Sequence, residues 1–181
     1  MGRDAKIFPE CSCWWQDILG GNMIFVVLGT QKFQLDRLLK SIDCAIEDGR
    51  ITDEVIAQSG NSVYKPKHFK CVSFMDKAEF DETIEKAELM ITHSGVGSII
   101  TALGKGKPVI VYPRLAKYKE HVDNHQLDIA NAFGKKNYVL CCFEEDDLVK
   151  KIEECKSHKF DVYVSQRDKM VETVSSYLKT L

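Results

Sequence analysis

Between Met23 and Cys142 short apolar runs alternate with longer amphipathic segments, and this alternation leaves few folds open. Met23–Gly29, Glu54–Gln58, Phe69–Phe74, Glu88–Thr92, Val109–Tyr112 and Tyr138–Cys142 each have strand length. Helical spacing fills the intervals. The first helix is expected over roughly Phe33–Asp48, with Phe33, Leu35, Leu38, Leu39, Ile42 and Ile46 apolar and Gly49 suited to stopping it. A second spans about Lys77–Ala87 behind Asp76, an N-capping residue. Later ones are expected near Val122–Phe133, ended by Gly134, then Asp146–Lys156 and Val164–Leu178. Strands joined through helices cannot be hairpins, so the pattern predicts a parallel sheet covered on both faces. The expected fold is a single α/β Rossmann-like three-layer domain with a mainly parallel sheet of about six strands. Ligands in such sheets lie beyond the carboxyl ends of the strands. Gly29 and Thr30, Gln58 to Gly60, Phe74 and Met75, His93 to Gly95, and Pro113 and Arg114 occupy those ends.

One of these ends carries a recognisable chemistry. The apolar run to Thr92 meets His93-Ser94-Gly95-Val96-Gly97-Ser98, then a helical segment ended by Gly104 and Gly106, before Pro108 opens the next strand. The first N–H groups of a helix lack internal partners, and the helix dipole places partial positive charge there. Gly95 and Gly97 allow close approach, and Ser94 and Ser98 offer hydroxyls. A phosphate or pyrophosphate fits such a site. A tight strand–helix turn with no ligand fits the same residues.

Known phosphate motifs fail here. The third Gly of G-x-G-x-x-G is replaced by Ile100, and Gly106-Lys107 precedes Pro108 instead of the Ser or Thr of a P-loop. G-x-S-x-G fails because Thr92 stands two positions before Ser94. His121 and His125 stand four apart, but Val122 occupies the Glu position of H-E-x-x-H, and the spacing supplies no further ligand; no metal is expected.

Composition narrows the class further. A net charge of −2 gives no nucleic-acid signature, and no apolar run reaches the roughly 18 residues of a membrane span. Seven Cys, an odd number without metal-ligand spacing, point to reduced thiols and a cytoplasmic setting. Residues 1–22, which include Cys11, Cys13, Trp14 and Trp15, lack the periodicity that begins at Met23. They are expected to be a non-native or disordered leader to a domain of residues 23–181. An interfacial anchor using the Trp pair is the alternative.

Thr92–Ile100, the Gly106-Lys107-Pro108 turn and the later His125-Gln126 together resemble the nucleotide-sugar half of GT-B glycosyltransferases. The similarity is to family 28 C-terminal domains, and within them to the single-domain catalytic subunits of two-component UDP-sugar transferases. Those subunits serve dolichol-linked N-acetylglucosamine transfer, or exopolysaccharide and capsule synthesis in bacteria. The resemblance implies that His93 meets the diphosphate, and that Gly95, Val96, Gly97 and Ser98 bind it. It implies uracil near Phe74 and Met75, and donor-sugar hydroxyls at His125 and Gln126. Many relatives hold the ribose with a Glu where Thr101 stands; Glu120 or Asp123 is a possible substitute. Arg114 is either a counter-charge for the departing diphosphate or a surface residue. Gly29, Thr30, Gln58 and Gly60 complete the expected nucleotide-sugar site.

The chemistry this implies is inverting transfer of a hexose or N-acetylhexosamine, with leaving charge stabilised by backbone N–H groups and without a cofactor or metal. His93 is the one weak candidate for the base. A GT-B cleft needs two halves, so a membrane-associated partner is expected to supply the acceptor half and recruit this chain to a lipid-linked saccharide at the cytoplasmic membrane face. Tyr163, Val164, Met170, Val171, Val174, Tyr177 and Leu178 would give the last helix an apolar face, for that partner or for its own sheet. A non-catalytic nucleotide-sugar-binding or scaffolding subunit is the second reading, and a sugar-nucleotide epimerase a third.

Overall fold

The computed structural model describes residues 22–165 and 167–179. The expected leader, residues 1–22, lies outside them except for Asn22. The described chain forms a six-stranded sheet in the order β3-β2-β1-β4-β5-β6, and every pairing is parallel. The strands are β1 (Met23–Val27), β2 (Glu54–Gln58), β3 (Lys70–Val72), β4 (Leu89–Thr92), β5 (Val109–Val111) and β6 (Leu140–Cys141). The helices are α1 (Asp36–Glu47), α2 (Lys77–Lys86), α3 (Val96–Gly104), α4 (His125–Gly134), α5 (Leu148–Ser157) and α6 (Arg167–Leu178).

Both faces of the sheet are covered, which explains why the central strands read as unbroken apolar runs. Alternate residues of β1 feed two cores. Ile24, Val26 and Leu28 pack with Leu38, Leu39 and Ile42 of α1 and Leu148 and Ile152 of α5. Met23, Phe25 and Val27 pack with Ile84 of α2, Ile99 and Ala102 of α3, and Ala130 of α4. Each of the larger side chains among them, Val, Leu, Ile, Met or Phe, contributes about 1.5–3 kcal/mol on burial.

The ends of several elements differ from the expected ones, and side chains capturing backbone groups explain where. α1 begins at Asp36, not Phe33, because Ser62 Oγ accepts the Leu35 N–H and Gln34 Oε1 accepts the Asp36 N–H. α4 begins at His125, not Val122, because Asp123 Oδ1 accepts the His125 N–H and holds the preceding residues in a bend. Asp76 does cap α2, accepting the Glu79 N–H at 2.9 Å. The edge strands β3 and β6 are shorter than their apolar runs. Among the described residues, no helix is long and apolar enough to cross a membrane. Cys44, Cys71, Cys141, Cys142 and Cys155 are free thiols.

Sequence order reverses between β1 and β4, since β2 lies on one side of β1 and β4 on the other. That switch point opens a crevice beyond the strand ends. The turns after β1 and β4 both border it.

Candidate functional site

At the crevice, β4 ends at Thr92, whose hydroxyl donates to Val27 O at 2.7 Å and joins the two turns. His93 follows and is 7% exposed. Its ring lies between two glycines: a Cβ on Gly29 would stand 2.6 Å from His93 Cε1, and one on Gly95 would stand 2.3 Å from Nε2. Gly29 has φ +71°, a conformation that side chains disfavour. Gly60, at the end of β2, has φ +57°, and a Cβ there would meet Gly29 O at 2.3 Å. The three strand ends are therefore stacked through glycine backbone onto one imidazole.

α3 opens directly above. Its N-cap, Gly95, has no capping side chain, and Val96 and Gly97 are exposed. Gly95 N–H donates to His93 O at 2.8 Å, and Gly95 O accepts the Ile99 N–H at 3.1 Å. The N–H groups of Val96, Gly97 and Ser98 begin the helix, where intrahelical acceptors are lacking. A Cβ on Gly97 would meet nothing within 4 Å, so the approach is open.

Arg114 lies just past β5, and its charge acts on the His93 ring. The alternative of a surface residue is overturned: it is fully buried. One guanidinium nitrogen donates to Leu28 O at 2.6 Å and Phe33 O at 3.0 Å, clamping the β1–α1 loop. Its Nε and other terminal nitrogen have no partner. Burial lowers its pKa to about 10, against the raising influence of Glu120, so it stays charged at neutral pH. This cation acts on the crevice through its field, since its unpartnered donors are closed to solvent. Burial first, and the Arg114 charge second, push the His93 imidazole down to about 4. His93 is then neutral at pH 7, and its pKa lies well below the range near the working pH that suits a general base. Its place between the glycines makes it a spacer for the turns.

Other expected site residues divide between the crevice and its framework. Ser94 is fully buried and its Oγ is enclosed without a partner, so the expected hydroxyl donor to a ligand is shut away. Ser98 is partly exposed at the open helix end. Thr101 Oγ1 donates back to Gly97 O at 2.8 Å on the exposed face of α3. Glu120 does not replace a ribose-binding Glu: it is 1% exposed, pairs twice with Arg37 at 3.0 and 3.1 Å, and accepts the Leu115 N–H. Gln126 is buried and holds the Arg114 N–H at 3.0 Å. Gln58 accepts the Met75 N–H at 3.1 Å and so sets the β3–α2 turn, beside which Phe74 is half exposed. Thr30 is exposed in the β1–α1 loop, with its carbonyl near Asn61 Nδ2. His125 is exposed, and its Nδ1 contacts Asp123. It opens α4 while His121 lies in the bend before it, so the two do not share a helix face as their spacing suggests.

Arg37 was not legible as a site residue. Besides Glu120 it donates to Tyr112 Oη at 2.6 Å and Pro113 O at 3.2 Å, and stacks on the Tyr112 and Tyr118 rings. Its position beside Leu38 in an amphipathic helix is the only local trace, since Glu120 lies 83 residues away.

Residues 23–181 match the glycosyltransferase family 28 C-terminal domain. The UDP-N-acetylglucosamine transferase subunit ALG13 of Homo sapiens is 31% identical over 128 residues, which are 66% of this chain and 11% of that protein. This chain thus spans about a tenth of the length of that relative. Among solved structures, the glycotransferase of kitacinnamycin superposes with a TM-score of 0.59 at 16% identity, covering 87% of this chain and 40% of that one. The NMR solution structure of ALG13 gives 0.51 at 18% identity, covering 85% and 94%. These two likenesses establish the shared fold.

Proposed function

Because the chain belongs to the glycosyltransferase family 28 C-terminal domain family, we propose that it is the donor-binding subunit of a two-component UDP-sugar glycosyltransferase. The observation that carries this reading is the uncapped, exposed N-terminus of α3 at the sheet's switch point, following His93, on whose ring the charge of buried Arg114 acts. Negative charge grows on the leaving diphosphate as the sugar departs. The N–H groups of Val96, Gly97 and Ser98 are fixed by the helix and need no reorganisation to meet it. Arg114 adds a full positive charge in a site of low dielectric, where the attraction is stronger than in water. The diphosphate is balanced by these groups, with no step assigned to a metal.

N-acetylglucosamine is the first sugar to test, because the human relative is named a UDP-N-acetylglucosamine transferase subunit. The uracil is assigned to the turn at Phe74 and Met75, and sugar hydroxyls to His125. The base that activates the acceptor is assigned to the partner, since His93 is unsuited to it. The acceptor is a lipid-linked saccharide, as in exopolysaccharide, capsule or glycolipid assembly, and a membrane-associated partner recruits this chain to the cytoplasmic membrane face. Two exposed apolar areas support a partner. Phe74, Val96, Ile100 and Val122 are exposed on segments that follow the strand ends, and Val171, Val174 and Leu178 of α6 are about half exposed or more, so α6 does not bury them on its own sheet.

The test is transfer from labelled UDP-N-acetylglucosamine, using membranes from a strain lacking this chain as the source of partner and acceptor. Added protein is expected to restore label in the lipid extract, and Gly97→Asp to lower the rate by about 100-fold or more. Transfer undiminished in that variant would favour the non-catalytic subunit.

A further inference from the structure

We infer that His121, Asp123 and His125 form a binding site for a divalent transition metal of the zinc class. The spacing of the two His set this aside, because Val122 fills the Glu position of H-E-x-x-H and no further ligand stood at a recognisable spacing. The bend before α4 supplies a third ligand. It brings the two imidazoles to 4.6 Å between ring centroids and sets the Asp123 carboxylate against them. One ligand atom from each residue lies within 4.8 Å of the others.

The geometry suits an ion. Zinc–ligand bonds of about 2.0–2.1 Å in a tetrahedron place ligand atoms about 3.4 Å apart; His121 Nδ1 lies 3.3 Å from Asp123 Oδ1, while His125 Nδ1 is in direct contact with the same oxygen and would have to separate from it to admit the ion. A second observation is independent of proximity. The His121 side chain is 8% exposed, seated against Phe33 at 4.6 Å, and its buried Nδ1 faces the Asp123 carboxylate without completing a hydrogen bond to it. A cation among the three groups would satisfy that nitrogen. Asp123 and His125 are exposed, which leaves an entry path and a coordination position for water. Two imidazoles and one carboxylate favour zinc-class ions over magnesium or calcium, which prefer oxygen ligands throughout. The ion would fix the bend that leads into α4, and with it Gln126, which holds Arg114.

The site shares His125 with the proposed donor-sugar contacts, but its test reads metal binding alone and does not depend on glycosyl transfer. Untagged full-length protein is stripped with chelator and titrated calorimetrically with zinc, and in parallel with cobalt. One equivalent is expected, with visible cobalt d–d bands and without the intense near-ultraviolet band of a thiolate ligand. The Asp123→Ala/His125→Ala variant, changed only at exposed positions and checked for fold by circular dichroism, should lose that equivalent. Absence of binding to the wild type, a thiolate band, or an isotherm unchanged in the variant would overturn the assignment.

Discussion

A methyl group at Gly60 and one at Gly97 should have opposite effects on stability. At Gly60 the backbone has φ +57° and the new Cβ would stand 2.3 Å from Gly29 O, a backbone atom that cannot swing aside. Gly60→Ala is expected to destabilise by about 2–4 kcal/mol. At Gly97 the Cβ meets open space in the first turn of α3, so Gly97→Ala should be neutral or stabilising by up to about 1 kcal/mol. Denaturant unfolding of the two variants checks both signs. His93 makes a second prediction. Its folded pKa is about 4, below the 6.5 of an unconstrained imidazole. Above pH 6.5 neither state binds the proton, so this stability is fully present. Between 6.5 and 4 only the unfolded chain takes it up, and stability falls by about 3 kcal/mol. His93→Gln should show a shallower loss over that interval, by about one proton in the slope; an unchanged slope would remove His93 as its source.

Among the elements, the β1–α1 loop depends on a residue from β5's end. Arg114 supplies the donors that Leu28 O and Phe33 O receive. Arg114→Met keeps much of the volume but strands those carbonyls, and is expected to destabilise by about 2–4 kcal/mol in thermal or denaturant unfolding. The same variant should bind a nucleoside diphosphate more weakly, because the buried charge is gone. This dependence also marks the limit of what was legible in the sequence. The six strands were visible because parallel strands covered on both faces are unbroken apolar runs. The turn from His93 to Ser98 was visible because its strand, glycines and helix are contiguous. Contacts between distant positions left no such trace. Arg114 reaches back 81 and 86 residues, and Glu120 reaches 83 to Arg37. The sequence offered Arg114 as a counter-charge or a surface residue and Glu120 as a possible ribose ligand, and in neither case could it show that the side chain holds a distant loop. The start of α4 was misplaced for a local reason, an Asp123 side chain competing for a backbone N–H, which hydrophobic periodicity does not register.

For the molecule as a whole, the sheet brings three glycine turns, an open helix end and a buried cation to one crevice, with exposed apolar side chains on segments that follow the strand ends. On the proposed reading, that arrangement would bind the sugar donor and leave the facing half of the reaction to another protein. The central claim is that the N-terminus of α3 holds a nucleoside diphosphate, with uracil as its base. Calorimetric titration of the full chain with UDP and with GDP tests it most directly, beside Gly97→Asp. That variant should keep its fold, because the site is open and a carboxylate suits a helix N-terminus, yet its charge opposes a diphosphate. Heat of binding with UDP, little with GDP, and none in the variant is the predicted result. No heat with UDP, equal heat with both nucleotides, or binding unchanged by Gly97→Asp would contradict it.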